Sequence, residues 1–233
     1  MKSKRFDAVI FDLFGTLVYN RPWGEAMNAA VATALGAPVE DFVREWARTA
    51  PRRTAGGYAS VGENVEEVCR TLGVAVTPEQ VERAVAIRLD YTRRNLRPKE
   101  GALELVRHLR DMGLKIGLLS NCTPEVPIIW REMPFCPLFD DAVFSCDVGM
   151  AKPQPEIFQL ACRRLGTAAE RCVYVADNVD GELDVALACG LYPVRLLPAE
   201  GETPPRDADR WQGPAIDALP QLLDHLDSQS AGE

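Results

Sequence analysis

Ala8-Val9-Ile10-Phe11-Asp12-Leu13-Phe14-Gly15-Thr16-Leu17 is the stretch from which the fold of this chain is read. Its first four residues form an apolar run without polar alternation, the pattern of a strand buried on both faces. The run stops at Asp12, and Gly15 and Thr16 follow in loop chemistry. A carboxylate at the end of a buried strand is costly unless it is paired or put to use. Asp12 is therefore the first candidate functional residue.

The same arrangement recurs further along. From Pro98 the chain alternates helical and strand patterns, and two of the later strands end at polar residues. A helix over 102–112 leads to a strand over 115–119 that ends at Ser120 and Asn121. A strand over 142–144 precedes a helix over 156–165, with Gly166 after it. A strand over 172–175 ends at Asp177. A helix closed by Gly190, a strand over 193–196, a surface loop over 198–213 and a closing helix over 216–226 complete the chain. Such alternation implies a parallel sheet with right-handed crossovers. Ligands of these sheets bind at the carboxyl ends of the strands. Asp12 with Thr16, Ser120 with Asn121, and Asp177 all fall on that rim, with Lys152 of Ala151-Lys152-Pro153 expected at the start of a helix beside it.

Between the first strand and Pro98 the texture is helical. Val61, Val65, Val68, Cys69 and Leu72 share one helical face. Thr77-Pro78-Glu79-Gln80 is a capping box with proline at the first helical position. Val81, Val85 and Leu89 line the next face. The expected architecture is α/β: a doubly wound, Rossmann-like parallel sheet interrupted by a small helical insertion.

Bulk properties narrow the class. The chain has 233 residues, 47% hydrophobic and 26% charged, which suits a folded domain rather than disorder. A net charge of −8 argues against a nucleic-acid partner, which calls for a basic face. No segment approaches the roughly 20 apolar residues needed to span a bilayer. The seven cysteines contain no CxxC pair, so zinc ribbons and thioredoxin-type redox motifs are excluded. Reduced thiols and the lack of a recognisable signal peptide point to a cytoplasmic protein, monomeric or homodimeric.

Taken in order, FDLFGTL, LLSNCT, AKPQPEIF and VYVADNVDGELDVALACG resemble the four motifs of the haloacid dehalogenase superfamily of hydrolases. The helical stretch resembles the inserted cap of its first subclass. The resemblance implies a core of residues 1–17 and 98–233 and a cap of residues 18–97. It implies that Asp12 is the nucleophile and forms a covalent aspartyl intermediate. Lys152 would pair with Asp12, and Thr16, Ser120 and Asn121 would bind the substrate. Asp12, the backbone carbonyl of Phe14 and Asp177 would hold Mg2+, with Glu182 as a supporting acid. Asp180 and Asp184 are expected on a solvated face.

Phe14 departs from the pattern. The family's phosphatases carry there a second aspartate that protonates the leaving group, help worth about 10²–10⁴ in rate. An aromatic residue is similar to the 2-haloacid dehalogenases, in which the nucleophile displaces halide from carbon without a metal. Asp177 points the other way, because those dehalogenases place a small neutral residue in its position. Clustered carboxylates facing Asp12 repel unless a cation lies between them. The expected function is a Mg2+-dependent phosphatase acting on a small anionic metabolite. Two alternatives remain open: a 2-haloacid dehalogenase, and a phospho-ligand binding protein without turnover. In the helical stretch, Arg52 and Arg53 precede a Gly56-Gly57 segment that would reach the substrate or lie in solvent. Arg44 and Arg48 are expected to pair with Asp41 and Glu45, while Trp23, Trp46 and Trp130 are expected to pack. His108 and His225 are not expected to be catalytic.

Overall fold

Six parallel strands form one sheet in the order β3-β2-β1-β4-β5-β6. They are β1 (Ala8–Phe11), β2 (Lys115–Ser120), β3 (Asp141–Phe144), β4 (Cys172–Ala176), β5 (Tyr192–Leu196) and β6 (Ala215–Ile216). The computed structural model describes residues 5–20, 24–202 and 211–230. All four residues of β1 are fully buried, so the sheet must be covered on both faces. Pleating directs Val9 and Phe11 to one face, against α6 (Ala102–Asp111) and α11 (Gln221–Ser230). Ala8 and Ile10 face α9 (Pro155–Leu165) and α10 (Glu182–Ala188), and a single turn, α8 (Ser145–Val148), separates β3 from α9. Between β1 and β4 the direction of winding reverses. Crevices in doubly wound sheets open at the carboxyl ends of strands at such a point.

Among the described residues five helices intervene between β1 and α6: α1 (Gly24–Leu35), α2 (Val39–Arg48), α3 (Ala50–Thr54), α4 (Val61–Thr71) and α5 (Pro78–Asn95). They enclose an apolar cluster of their own, including Leu35, Phe42, Trp46, Val65, Val68, Cys69 and Ala84. The capping box starts α5: Thr77 Oγ1 accepts from the Gln80 backbone N–H, and Gln80 Oε1 accepts from that of Thr77. Val81 joins this cluster. Val85 packs against it, whereas Leu89 packs against the core of the sheet, and all three line a groove of about 640 Å3 with Pro127 and Ile128 of α7 (Glu125–Trp130). Trp46 and Trp130 are buried as expected; Trp23 lies outside the described residues.

A polar seam ties the helical segment to the rest of the chain. Arg88 of α5 forms a salt bridge with Glu125 of α7, the two side chains being only 3% and 1% exposed. Arg88 Nη1 also donates to Asn28 Oδ1 at 3.0 Å. The guanidinium groups of Arg53 and Arg88 each lie 4.1 Å from the Trp46 ring centroid. At the solvent edge Arg93 pairs with Glu132 at 2.6 Å. Among the described residues no helix is long and apolar enough to cross a membrane.

The C-terminal segment departs from the expected single helix. Residues 216–226 are not one helix: Ile216 is in β6, paired beside Leu196 of β5, and α11 begins at Gln221. Pro220 sets that start, because a proline inside a helix removes a backbone donor and clashes with the preceding turn. The apolar spacing of Ile216, Leu219, Leu222 and Leu226 imitates a single helical face, since both elements bury against the same core. Of the loop over 198–213, residues 203–210 lie outside the described residues.

Breaking a buried ion pair strands the surviving charge, a loss of about 3–5 kcal/mol, whereas an apolar pair of similar volume is close to neutral. Glu125→Ala is expected to lower the unfolding free energy in urea by that amount, and Arg88→Met with Glu125→Leu to recover most of it. Equal losses in both variants would show that the seam is stabilised by something other than this pair.

Candidate active site

Asp12 follows β1 and Asp177 follows the adjacent strand β4, so the switch point brings the two carboxylates together. They and Glu182, at the first turn of α10, offer oxygens that all lie within 4.8 Å of one another. The three residues are 6%, 5% and 2% exposed. Lys152 reaches the same place. Its Nζ lies 2.6 Å from Asp12 Oδ1 and 2.6 Å from Glu182 Oε2. Lys152 is not at a helix start: α9 begins three residues later, at Pro155. Asn121 fixes the lysine instead. Its Nδ2 donates to the Lys152 carbonyl at 2.8 Å, and its Oδ1 accepts from the Lys152 N–H at 2.8 Å.

Local backbone structure aims the acids. Asp177 Oδ1 accepts from the Val179 N–H at 3.2 Å. Asn178, in the left-handed region at φ 73°, accepts from the Leu183 N–H and turns the chain into α10. Gly15 is required where it stands. A Cβ there would lie 2.0 Å from Asp177 Oδ2, and its φ of 72° disfavours any side chain.

The remaining expected site residues are nearby. Thr16 Oγ1 lies 3.4 Å from Asp12 Oδ2. Ser120 is fully buried and its Oγ has no hydrogen-bond partner among the described residues. A cavity of about 140 Å3 opens above the group, lined by Asp12, Phe14, Asn20, Asn121, Lys152, Val179 and Glu182. Asp184 is exposed as expected; the Asp180 side chain lies outside the described residues. Arg52 and Arg53 do not line this cavity. Arg52 is exposed and pairs with Glu67 at 2.8 Å. Arg53 turns inward and donates to Asn64 Oδ1 at 2.7 Å, and burial beside Arg88 lowers its guanidinium to about 10. Arg44 and Arg48 pair with Asp41 and Glu45 as expected. His108 is exposed, and His225 contacts Tyr192 at 3.2 Å.

Charge balance governs the site. Burial and the charges of Asp12 and Glu182 push the Asp177 carboxyl up to about 7. Burial also raises Glu182, with Asp12 adding to it, although Lys152 offsets part of the effect. Burial pulls the Lys152 ammonium down, but the Asp12 and Glu182 carboxylates outweigh it and hold the pKa above its ordinary value. Three buried carboxylates thus face one ammonium, an arrangement that accommodates one more cation.

A model of the haloacid dehalogenase-like hydrolases matches residues 6–190. The chain belongs to this family. It is 24% identical over 220 residues to the glyceraldehyde 3-phosphate phosphatase of Methanocaldococcus jannaschii, covering 93% of this chain and 95% of that protein. It is 26% identical over 184 residues to the (S)-2-haloacid dehalogenase of Pseudomonas putida, covering 75% and 78%. A HAD family enzyme from Bacteroides thetaiotaomicron, crystallised with magnesium and inorganic phosphate, shares the fold. Its TM-score is 0.63 at 19% identity, covering 85% of this chain and 96% of that one. This member of the family is a hydrolase, and phosphatases and dehalogenases both occur among its relatives.

Two residues of the site region carry no signal in the sequence reading. Tyr174, inside β4, reaches the Lys152 ammonium with its hydroxyl at 3.0 Å. Glu125, just past the Asn121 loop, is buried against Arg88. Tyr174 reads as a core aromatic, and the Arg88–Glu125 pair spans 37 positions that no local pattern connects.

A raised carboxyl pKa has a definite effect on stability. Between about pH 4 and pH 7 the folded protein keeps a proton on Asp177 that the unfolded chain has released. Stability therefore falls as pH rises through that window and levels off above it. In EDTA, Asp177→Asn is expected to gain Tm relative to the wild type between pH 5 and pH 8; a constant difference would show that Asp177 does not titrate in this range.

Proposed function

We propose that the protein is a Mg2+-dependent phosphatase of small anionic metabolites, with Asp12 as the nucleophile. One observation carries the reading: two buried carboxylates on adjacent strands meet at the switch point with a single ammonium between Asp12 and Glu182. A 2-haloacid dehalogenase of the pattern described above has no use for Asp177, whose charge is costly to bury without a cation.

The donor set suits Mg2+, which takes oxygen ligands and keeps several waters. Asp12, Asp177 and the Phe14 carbonyl would hold the ion, while Glu182 serves Lys152. When bound, the ion neutralises charge on the phosphoryl oxygens and on the nucleophile. The chain's own groups do the rest. An Asp12 oxygen attacks phosphorus and the bond to the leaving oxygen breaks, giving an aspartyl phosphate that water then hydrolyses. Lys152 fixes the Asp12 carboxylate and offsets developing negative charge. The Ser120 and Thr16 hydroxyls hold phosphoryl oxygens, and Asn121 supports them by fixing the Lys152 backbone. Residues 18–97 act as the cap that closes the cavity and excludes water. A space of about 140 Å3 suits a phosphoryl group on a small carbon skeleton.

Phe14 lines the cavity where a proton donor would stand, so the leaving oxygen departs without help from that position. Across a series of aryl and alkyl phosphates kcat is expected to fall steeply as the leaving-group pKa rises; a flat series would mean that another group supplies the proton. Phe14 is also the observation that favours carbon–halogen cleavage as the second reading. A parallel assay of phosphate and halide release, with Mg2+ and with EDTA, separates the two. Phosphate release that needs Mg2+ and is absent in Asp12→Asn is expected. Halide release from L-2-chloropropionate in EDTA would replace this proposal with the second reading, and tight phosphate-analogue binding without turnover would point to a binding protein.

A further inference from the structure

Tyr174 has no part in the steps above. Its ring is fully buried on the α9 side of the sheet, edge-on to Phe158 with centroids 5.3 Å apart. Phenylalanine would fill that space without bringing a polar oxygen into the core, where an unsatisfied hydroxyl is costly. The oxygen has partners. It accepts from Lys152 Nζ at 3.0 Å and donates to Glu182 Oε2 at 2.7 Å.

An ammonium has three N–H donors and no more. Here Asp12 Oδ1 and Glu182 Oε2 are each 2.6 Å from Nζ, and the Tyr174 oxygen is the third neighbour. The three acceptors come from the end of β1, from α10 and from the interior of β4. Two acceptors would leave Nζ free to swing about the line joining them; a third fixes it. The third is neutral, so it adds no charge to a site already rich in carboxylates. The Tyr174 hydroxyl also gives Glu182 Oε2 a second donor, which holds the acid in place.

We propose that Tyr174 is a positioning residue: its hydroxyl locks Lys152 onto Asp12 and Glu182 before substrate arrives. This rests on Lys152 serving as the partner of the nucleophile. An incoming phosphoryl oxygen is charged and forms hydrogen bonds about twice as strong as a neutral acceptor does. The bond to Tyr174 is therefore the one that Nζ gives up to it, and both carboxylate bonds stay.

Two measurements test this. The chain has five lysines, so selective 15N-lysine labelling gives a readable ammonium spectrum. The wild type is expected to show a slowly exchanging ammonium resonance that vanishes in Lys152→Arg and exchanges much faster in Tyr174→Phe. No protected Lys152 resonance in the wild type overturns the proposal, whether or not Tyr174→Phe folds. With the substrate found by the release assay, Tyr174→Phe is expected to lower kcat by about tenfold or more and to change KM by less than about threefold. Phe158→Leu removes packing from the same ring and no oxygen; it should lower Tm and keep kcat within about twofold of the wild type. A wild-type kcat in Tyr174→Phe, or an equal loss in Phe158→Leu, would reduce Tyr174 to a packing residue. If the wild type releases neither phosphate nor halide, the phosphatase reading fails, and the ammonium spectrum still decides the place of Tyr174.

Discussion

Asp12, Asp177, Glu182 and Lys152 share a space from which water is almost excluded. Each charge loses most of its hydration there, and only close pairing compensates for the loss. Lys152 does this for Asp12 and Glu182, at 2.6 Å each. Much of the local architecture serves to hold that lysine still. Asn121 clasps its backbone at both the carbonyl and the N–H. Asn178 turns the chain so that α10 presents Glu182 to it. The parallel sheet supplies the frame, since β1, β2 and β4 are neighbours and their carboxyl ends lie side by side. The motif spacing is thus a consequence of geometry: one ammonium must be reached from several strand ends at once.

A second buried charge problem lies at the seam. Arg53 and Arg88 flank Trp46, and Glu125 is the one carboxylate paired with them among the described residues. Arg53 satisfies its Nη1 with Asn64, Thr49 and the Trp46 carbonyl, while its Nε has no partner among the described residues. Glu125 lies four residues past Asn121. The pair that joins α5 to α7 is therefore close in sequence to the loop that holds Lys152. A helical segment that moved as a cap would act on the site through this connection, whereas the exposed Arg93–Glu132 pair contributes little.

The parts of the molecule legible in the sequence are those written in short windows. β1 is readable because four apolar residues end abruptly at an acid, and α5 because its capping box is complete within four residues. The rim residues Asp12, Thr16, Ser120, Asn121 and Asp177 are readable because each ends or follows a strand. What escaped depends on contacts between distant segments. Tyr174 resembles any core aromatic until Lys152 is seen beside its oxygen. Arg52 and Arg53 are adjacent and identical in type, yet one lies in solvent and the other in the interior, because helical geometry turns neighbours about 100° apart. Residues 216–226 misled because a strand and a helix packed on one core share an apolar spacing across Pro220.

Phe14 places the sharpest limit on the chemistry. It stands two residues after Asp12, lines the cavity and carries no exchangeable proton. The neighbouring groups do not make good the loss. Lys152 is engaged by two carboxylates, which outweigh burial and hold its proton tightly. Tyr174 is pushed well above its ordinary value by burial and by the charges of Glu182 and Asp12, so its phenol gives up no proton near neutrality. Asp177, raised to about 7 by burial and its acidic neighbours, could carry a proton, but a cation between it and Asp12 would displace that proton. The site is well supplied to attack and to stabilise charge, and poorly supplied to protonate. If the protein is the phosphatase proposed above, its substrates are those whose leaving oxygen is already stable as an anion, or those that bring their own proton. On that proposal, specificity begins at the leaving group, ahead of any contact that the helical segment would make.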